Sequence, residues 1–202
     1  ALAEVLLENG HTVFSLSRTS PPKLDVFAER LQHIAIDLTE TEKLTQIVEN
    51  IFENLPVNDT LKGIYLINNA GTISPIGPIG DVSQEAIVSS LHVNLTAAFL
   101  LTATFIRLCQ SLPVTKRVIS LTSGAAKTAY EGWAAYCTAK AGIDAMTRTI
   151  GLEQKRREFP VEILAVAPGV VDTPMQTQIR ATTEGIFPMQ PKFIDLYAKG
   201  IL

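Results

Sequence analysis

The chain has 202 residues, 47% of them hydrophobic and 18% charged, with a formal net charge of −3. That is enough for one folded domain with one core, and it excludes a disordered chain. The acidic balance argues against nucleic acid or an anionic membrane as the main partner, while leaving room for a local basic pocket that holds a phosphate. Cys109 and Cys137 fall in segments that read as helix and outside any metal-ligand spacing, so a reduced, cytoplasmic protein is expected. His11, His33 and His92 are scattered, and no metal site is expected. No membrane span is expected either: the apolar stretch 96–105 is short and carries threonines, and the first ten residues lack the basic residues of a signal peptide.

Residues 1–9 read as the end of an amphipathic helix, with Gly10 placed to cap it. A short strand follows over 11–17. Pro21 and Pro22 mark a linker, after which a helix is expected near 24–31 and a strand over 33–37. Thr39 and Glu42 have capping-box spacing. Behind them Leu44, Ile47, Val48, Ile51, Phe52 and Leu55 form one apolar helical face. Residues 63–67 are a continuous apolar strand, the kind covered on both faces in a parallel sheet. A long helix is expected over 83–110, a strand over 117–121, a second long helix over 134–157 and a last strand over 161–167. Strands alternating with helices, without repeats, predict an α/β fold: a doubly wound parallel sheet flanked by helices, one domain over 1–202.

In such sheets ligands bind outside the carboxyl ends of the strands. Asn68-Asn69-Ala70-Gly71 follows the 63–67 strand; its small residues admit a ligand close to the backbone, although a plain turn explains them equally well. Thr122, Ser123 and Gly124 follow the next strand, where a lone serine is more often a helix cap. Tyr136 and Lys140 share one helix face, a turn apart. A free phenol has a pKa of about 10, and a nearby ammonium lowers it toward acid–base work near neutrality. After the last strand comes Pro168-Gly169-Val170-Val171-Asp172-Thr173.

Each signal is weak alone. Asn-Asn-Ala-Gly, then Asn94 in the next helix, Ser123 thirteen positions before Tyr136, the Tyr136–Lys140 pair and Pro168-Gly169-x-Val171-x-Thr173, in that order, resemble the short-chain dehydrogenase/reductase family over essentially the whole chain. The resemblance implies a Rossmann-type fold and hydride transfer between a nicotinamide cofactor and a carbonyl or alcohol. It implies Tyr136 as the acid that protonates the carbonyl oxygen, and Lys140 as the group that lowers the tyrosine pKa and holds the nicotinamide ribose. Ser123 would donate a hydrogen bond to the same oxygen. Asn94 would hold a proton-relaying water, the alternative being a buried amide bonded to local backbone. Asn68, Ala70 and Gly71 would line the adenosine side. Pro168 and Gly169 would open the cofactor loop, whose Val171 and Thr173 would contact the carboxamide end.

Family members also carry a strand and a glycine-rich loop before the first helix, about 15 residues in all, and a helix and strand after the substrate loop. The chain begins inside that helix and stops at Leu202, so it reads as a family member trimmed at both ends. An NAD site usually has an acidic residue at the end of the strand that Ser17 closes here. Serine leaves room for a 2′-phosphate and Arg18 can fork onto it, so NADP(H) and reduction are expected. Asp37 and Leu38 would meet the adenine edge, Asp37 alternatively capping the next helix.

Residues 131–140, with Gly151-Leu152-Glu153-Gln154 and Met175-Gln176, resemble the benzil reductase and sepiapterin reductase branch. That implies a small-molecule carbonyl substrate, bulky and planar, with Ser123 and Tyr136 at the reacting oxygen and Trp133 as a pocket wall. A core or interface tryptophan explains Trp133 as well. Residues 176–202, with Ile179, Ile186, Phe187, Met189 and Phe193, would form the substrate lid, or equally pack only as a helix pair on the domain, and a homodimer or homotetramer built through the two long helices is expected. A non-catalytic nucleotide-binding or scaffold protein on the same fold is the rival reading. The joint presence of Asn94, Ser123, Tyr136 and Lys140 speaks against it.

Overall fold

Helix α1 (Leu2–Glu8) stops at Gly10, whose N–H bonds Leu7 O while the His11 N–H bonds Leu6 O, both at 3.1 Å. Gly10 has φ +84°, the left-handed cap that glycine adopts without strain. These positions belong to a computed structural model that describes residues 2–55 and 60–201.

The chain then enters β1 (Val13–Ser17). The helix expected near 24–31 is a short 3₁₀ turn, Pro22–Phe27, in which Leu24 alone is buried. One buried side chain cannot support an amphipathic helix. Strand β2 (Leu31–Ala35) therefore begins earlier than expected, set by its parallel pairing with β1, Ser17 opposite Ala35.

No capping box starts α2 (Thr41–Glu53). Its N-cap is Glu40, which makes no side-chain capping bond. Thr39 gives its N–H and hydroxyl to Asp37 Oδ1 at 2.9 and 2.8 Å, a local turn that competes with the helix for both donors. The apolar face packs as its spacing requires: Leu44 and Val48 are buried, with Ile47 and Phe52 against them.

Strands β3 (Gly63–Asn68), β4 (Thr115–Leu121) and β5 (Glu162–Val166) form a parallel sheet in that order. Among the described residues β1 and β2 are a separate parallel pair, so the single expected sheet is two. Both rest on one apolar cluster in which Leu16 of β1 and Leu66 of β3 meet Ile36, Leu44, Val48, Ala97 and Leu101.

Ser83 caps the first long helix, its Oγ accepting from the Ala86 N–H at 3.2 Å. The helix runs through α3 (Gln84–Leu91), a π turn (His92–Thr96) and α4 (Ala97–Cys109). Contrary to expectation, Gln84–Cys109 is long and apolar enough to cross a membrane by length and composition. Its contacts with α2, α5, β3 and β4 make it the central helix of the fold. Helix α5 (Ala134–Gln154) lies close against the π turn: a Cβ at Gly142 would stand 2.9 Å from Leu95 Cδ1.

Helices α6 (Pro174–Arg180) and α7 (Gln190–Ala198) close over the start of α5, where Ile179, Phe187 and Phe193 cluster with Ile73, Ala125, Trp133 and Tyr136. Gly132 is the seat of this closure. It has φ +82°, and a Cβ there would lie 3.0 Å from Ile186 O. Gly132→Ala is expected to destabilise by about 1–2 kcal/mol from the left-handed backbone alone. The contact with Ile186 O should add to that, read as a lower urea midpoint and faster proteolysis within residues 176–198.

Candidate active site

The π turn adds one residue to a helical turn, and Asn94 lies in its middle, 2% exposed. Its Oδ1 accepts from the Thr72 N–H at 2.9 Å, and its Nδ2 donates to Thr72 O at 2.8 Å and to Ser90 Oγ at 3.2 Å. The amide is thus bonded to backbone, the alternative of its two sequence readings, and clamps the loop after β3 to the helix. Gly71 fits beneath: a Cβ there would lie 3.1 Å from Asn94 Oδ1 and 3.7 Å from Lys140 Nζ. Glycine at this position is required by contacts within the protein, besides any ligand.

Lys140 is 4% exposed and donates to Leu121 O at 2.7 Å from beside Gly71. Burial lowers its pKa to about 8. Tyr136, one turn earlier, is 8% exposed; burial pushes its phenol up, and the neighbouring Ser123 hydroxyl offsets this only in part. The expected lowering of the tyrosine by Lys140 is therefore reversed in direction. The ammonium lies 5.6 Å from the centre of the phenol ring and donates to a carbonyl, while the apolar cluster around the tyrosine disfavours its anion. The phenol stays protonated at neutral pH, as a proton donor must. Ser123 is held at the N-cap of the 3₁₀ turn Gly124–Ala126 by accepting from the Ala125 N–H at 3.2 Å. Thr122 ties this corner to α5 through Lys140 O at 3.4 Å.

On the far side, the parallel pairing of β1 with β2 brings Ser17 and Arg18 toward Asp37 and Leu38. The Asp37 carboxyl is held below its usual range by the Thr39 backbone and hydroxyl bonds, then by Arg18. Arg18 is exposed and in no ion pair among the described residues; the Ser17 hydroxyl donates to Thr19 O at 3.0 Å. Leu38 packs on the core cluster beside Ile36. Asn68 Nδ2 donates to Thr102 Oγ1 at 3.0 Å and Ser120 Oγ at 3.1 Å, leaving its buried Oδ1 without a partner.

Ala70 and Gly71 are exposed, as is the loop through Pro168, Gly169, Val171 and Thr173. Thr173 then caps α6 with its backbone carbonyl, which accepts from Gln176 N at 2.9 Å. A free arginine at one end, small exposed residues in the middle and a lysine with a single protein partner at the other suit a nicotinamide dinucleotide. Among the described residues no group of three or more His, Cys, Asp or Glu could hold a metal ion.

Trp133 is 5% exposed, edge-on to Tyr136 with ring centroids 5.8 Å apart. Phe187 and Phe193, legible as apolar residues of the lid segment, pack against it, as do Tyr130 and the cluster beside the buried Gln176, which were not legible as neighbours of the site. An apolar lid segment was visible over 176–202, but nothing in its spacing tells which ring meets Trp133. Nor does anything local mark Thr72, which serves through its backbone.

The sequence profile of the family described as short chain dehydrogenase matches residues 1–184. The chain belongs to the short-chain dehydrogenase family. A benzil reductase ((S)-benzoin forming) of Bacillus cereus is 41% identical over 206 residues, covering 100% of this chain and 82% of that protein. Sepiapterin reductase of Meriones unguiculatus is 32% identical over 157 residues, 76% of this chain and 58% of that one. A solved structure from Beutenbergia cavernae, described as an NAD(P) dependent gluconate 5-dehydrogenase with NADP bound at low occupancy, superimposes with a TM-score of 0.75 at 26% identity, covering 89% of this chain and 70% of that one. The chemistry of this family member is accordingly oxidoreduction at a carbonyl or alcohol carbon.

The buried lysine makes stability depend on pH. Its pKa of about 8 lies below the ordinary 10.5, so between these values the unfolded chain binds more protons than the folded one. Stability contributed by this group must then rise with pH across that window. Lys140→Met removes the rise. The difference in unfolding free energy between wild type and variant is expected to change by about 3 kcal/mol over the window, measured by urea unfolding at several pH values.

Proposed function

We propose that the chain is an NADPH-dependent carbonyl reductase acting on a ketone or aromatic α-diketone, benzil-like or pterin-like, with Tyr136 as proton donor. The observation that carries this reading is the meeting of a protonated, buried phenol with the Ser123 hydroxyl at the junction of β4 and α5, above a buried lysine. When bound, the cofactor supplies the hydride. Ser123 and the Tyr136 hydroxyl donate to the substrate oxygen, and the phenol passes its proton there as negative charge develops. Lys140, steered by Leu121 O, keeps its remaining N–H groups for the ribose. Asn94 acts by fixing Thr72 and Gly71 beneath that ammonium. Tyr136→Phe is expected to lower turnover about 10²–10⁴-fold with NADPH affinity little changed. A scaffold protein would show no turnover to lose.

Ser17 and Arg18 read the 2′-phosphate, with Asp37 and Leu38 at the adenine edge and Asn68, Ala70 and Gly71 along the adenosine. Pro168, Gly169, Val171 and Thr173 embrace the nicotinamide end. Support comes from the exposed, unpaired guanidinium of Arg18 and from the NADP in the Beutenbergia cavernae structure. Arg18→Ala is expected to weaken NADPH by roughly 10- to 150-fold, one charge-assisted hydrogen bond, and to leave NADH unchanged in paired titrations. The benzil reductase relative supports the aromatic diketone, and the 176–202 segment serves as its lid on a single domain. The apolar groove between α4 and α5, lined by Leu95, Phe99, Ile106, Met146 and Ile150, with Phe99 48% exposed, favours a second copy of the chain as partner, in a homodimer or homotetramer. Two free cysteines suit the reduced cytoplasm.

A further inference from the structure

Phe187 is 0% exposed and lies flat on the indole of Trp133, ring centroids 4.5 Å apart and planes 11° apart. It is the one stacked pair among the described residues; the other aromatic contacts are tilted or edge-on, at 36° to 77°. Trp133 meets the edge of Tyr136 in turn. A lid ring, a loop ring and the proton donor therefore stand in file. Backbone contacts deliver Phe187 to this place: its N–H bonds Thr183 O at 3.0 Å, and the preceding Ile186 O rests on Gly132.

The closure leaves polar groups unused. Trp133 Nε1 and Gln176 Oε1 are both buried without a hydrogen-bond partner among the described residues. Gln176 is 8% exposed and precedes Ile179 by three residues on α6, on the face that packs into the Trp133 cluster. Buried polar atoms without partners are unfavourable. A phenyl ring from the lid cannot satisfy the indole N–H, whereas a planar ligand carrying a carbonyl oxygen beside its ring can accept from it.

We propose that Phe187 is a built-in stand-in for the aromatic ring of the substrate. In the closed protein it occupies the stacking place on Trp133. An aromatic diketone binds by displacing it and stacking there, with the carbonyl that is not reduced accepting from Trp133 Nε1. Phe187 thus determines specificity by competing with rings and ignoring ligands that have none. This inference rests on the aromatic-diketone reading above.

Trp133 is the chain's only tryptophan, so intrinsic fluorescence reports on the stacking place directly. Wild type, Phe187→Ala and Phe187→Leu are titrated with benzil in the presence of NADP+, and NADPH-driven turnover is measured with benzil and with butanedione. Removing an internal competitor raises apparent affinity by the fraction it blocked. Both variants are therefore expected to bind benzil about fivefold or more tightly. Their tryptophan emission should be altered before any ligand is added, and KM for benzil should fall about fivefold or more relative to KM for butanedione. The leucine variant keeps apolar bulk without the ring and carries the test if the alanine variant does not fold. Unchanged or weaker benzil binding in the folded variants, or an equal shift in KM for both diketones, overturns the inference and leaves Phe187 a packing residue. Absence of benzil turnover in wild type overturns instead the reading on which it rests.

Discussion

The geometry of this site depends on a side-chain amide that bonds a backbone amide in both directions. Asn94 accepts from Thr72 N–H and donates to Thr72 O, so the loop after β3 is fixed in height and in rotation relative to the central helix. Two opposed bonds to the N–H and C=O of one residue resist sliding in a way a single bond does not. Gly71, the residue before Thr72, thereby lies where a Cβ would meet both the Asn94 amide and the ammonium of Lys140. Lys140 has nowhere to retreat and points at Leu121 O. Residues from β3, the central helix, β4 and α5 owe their mutual placement to this clamp, and the clamp owes its aim to one π turn.

Burial has opposite signs on the two titrating groups and the same chemical effect. It disfavours phenolate at Tyr136 and ammonium at Lys140, so both are biased toward their neutral forms before any ligand arrives. A neutral phenol is a loaded acid. The charge that must appear when it gives up its proton is best stabilised in a dry site, where Coulombic interactions are strong. The same dryness comes from the lid residues Ile179, Phe187 and Phe193, so the electrostatics of the site and the packing of the lid are one property.

Much of this was legible in the sequence where local pattern and tertiary demand agree. Helix α2 announced itself through one apolar face, and β3 through a continuous apolar run, because those patterns have no other stable use. The fold class was legible in strands alternating with helices, and the family in Asn68-Asn69-Ala70-Gly71, Asn94, Ser123, Tyr136, Lys140 and the run from Pro168 to Thr173 standing in a fixed order. Where sequence and structure diverge, a competitor won. Asp37 captured Thr39 and dissolved the capping box, and a segment with only Leu24 to bury became a 3₁₀ turn. The split of the sheet, the direction of the Tyr136 shift and the stacking of Phe187 on Trp133 arise from contacts between residues far apart in the chain. No local spacing encodes them.

The π turn at His92–Thr96 reaches beyond the residue it aims. One extra residue in a helical turn advances everything after it by about 100° around the axis. Helices α3 and α4 are continuous through the turn yet out of phase, so the stripe that α4 turns toward α2 and the groove it shares with α5 are indexed separately from the stripe of α3. A single-residue deletion there would restore an ordinary helix and rotate one half against the other. The helix thus behaves as a keyed coupling, whose key is also the residue that holds the active site.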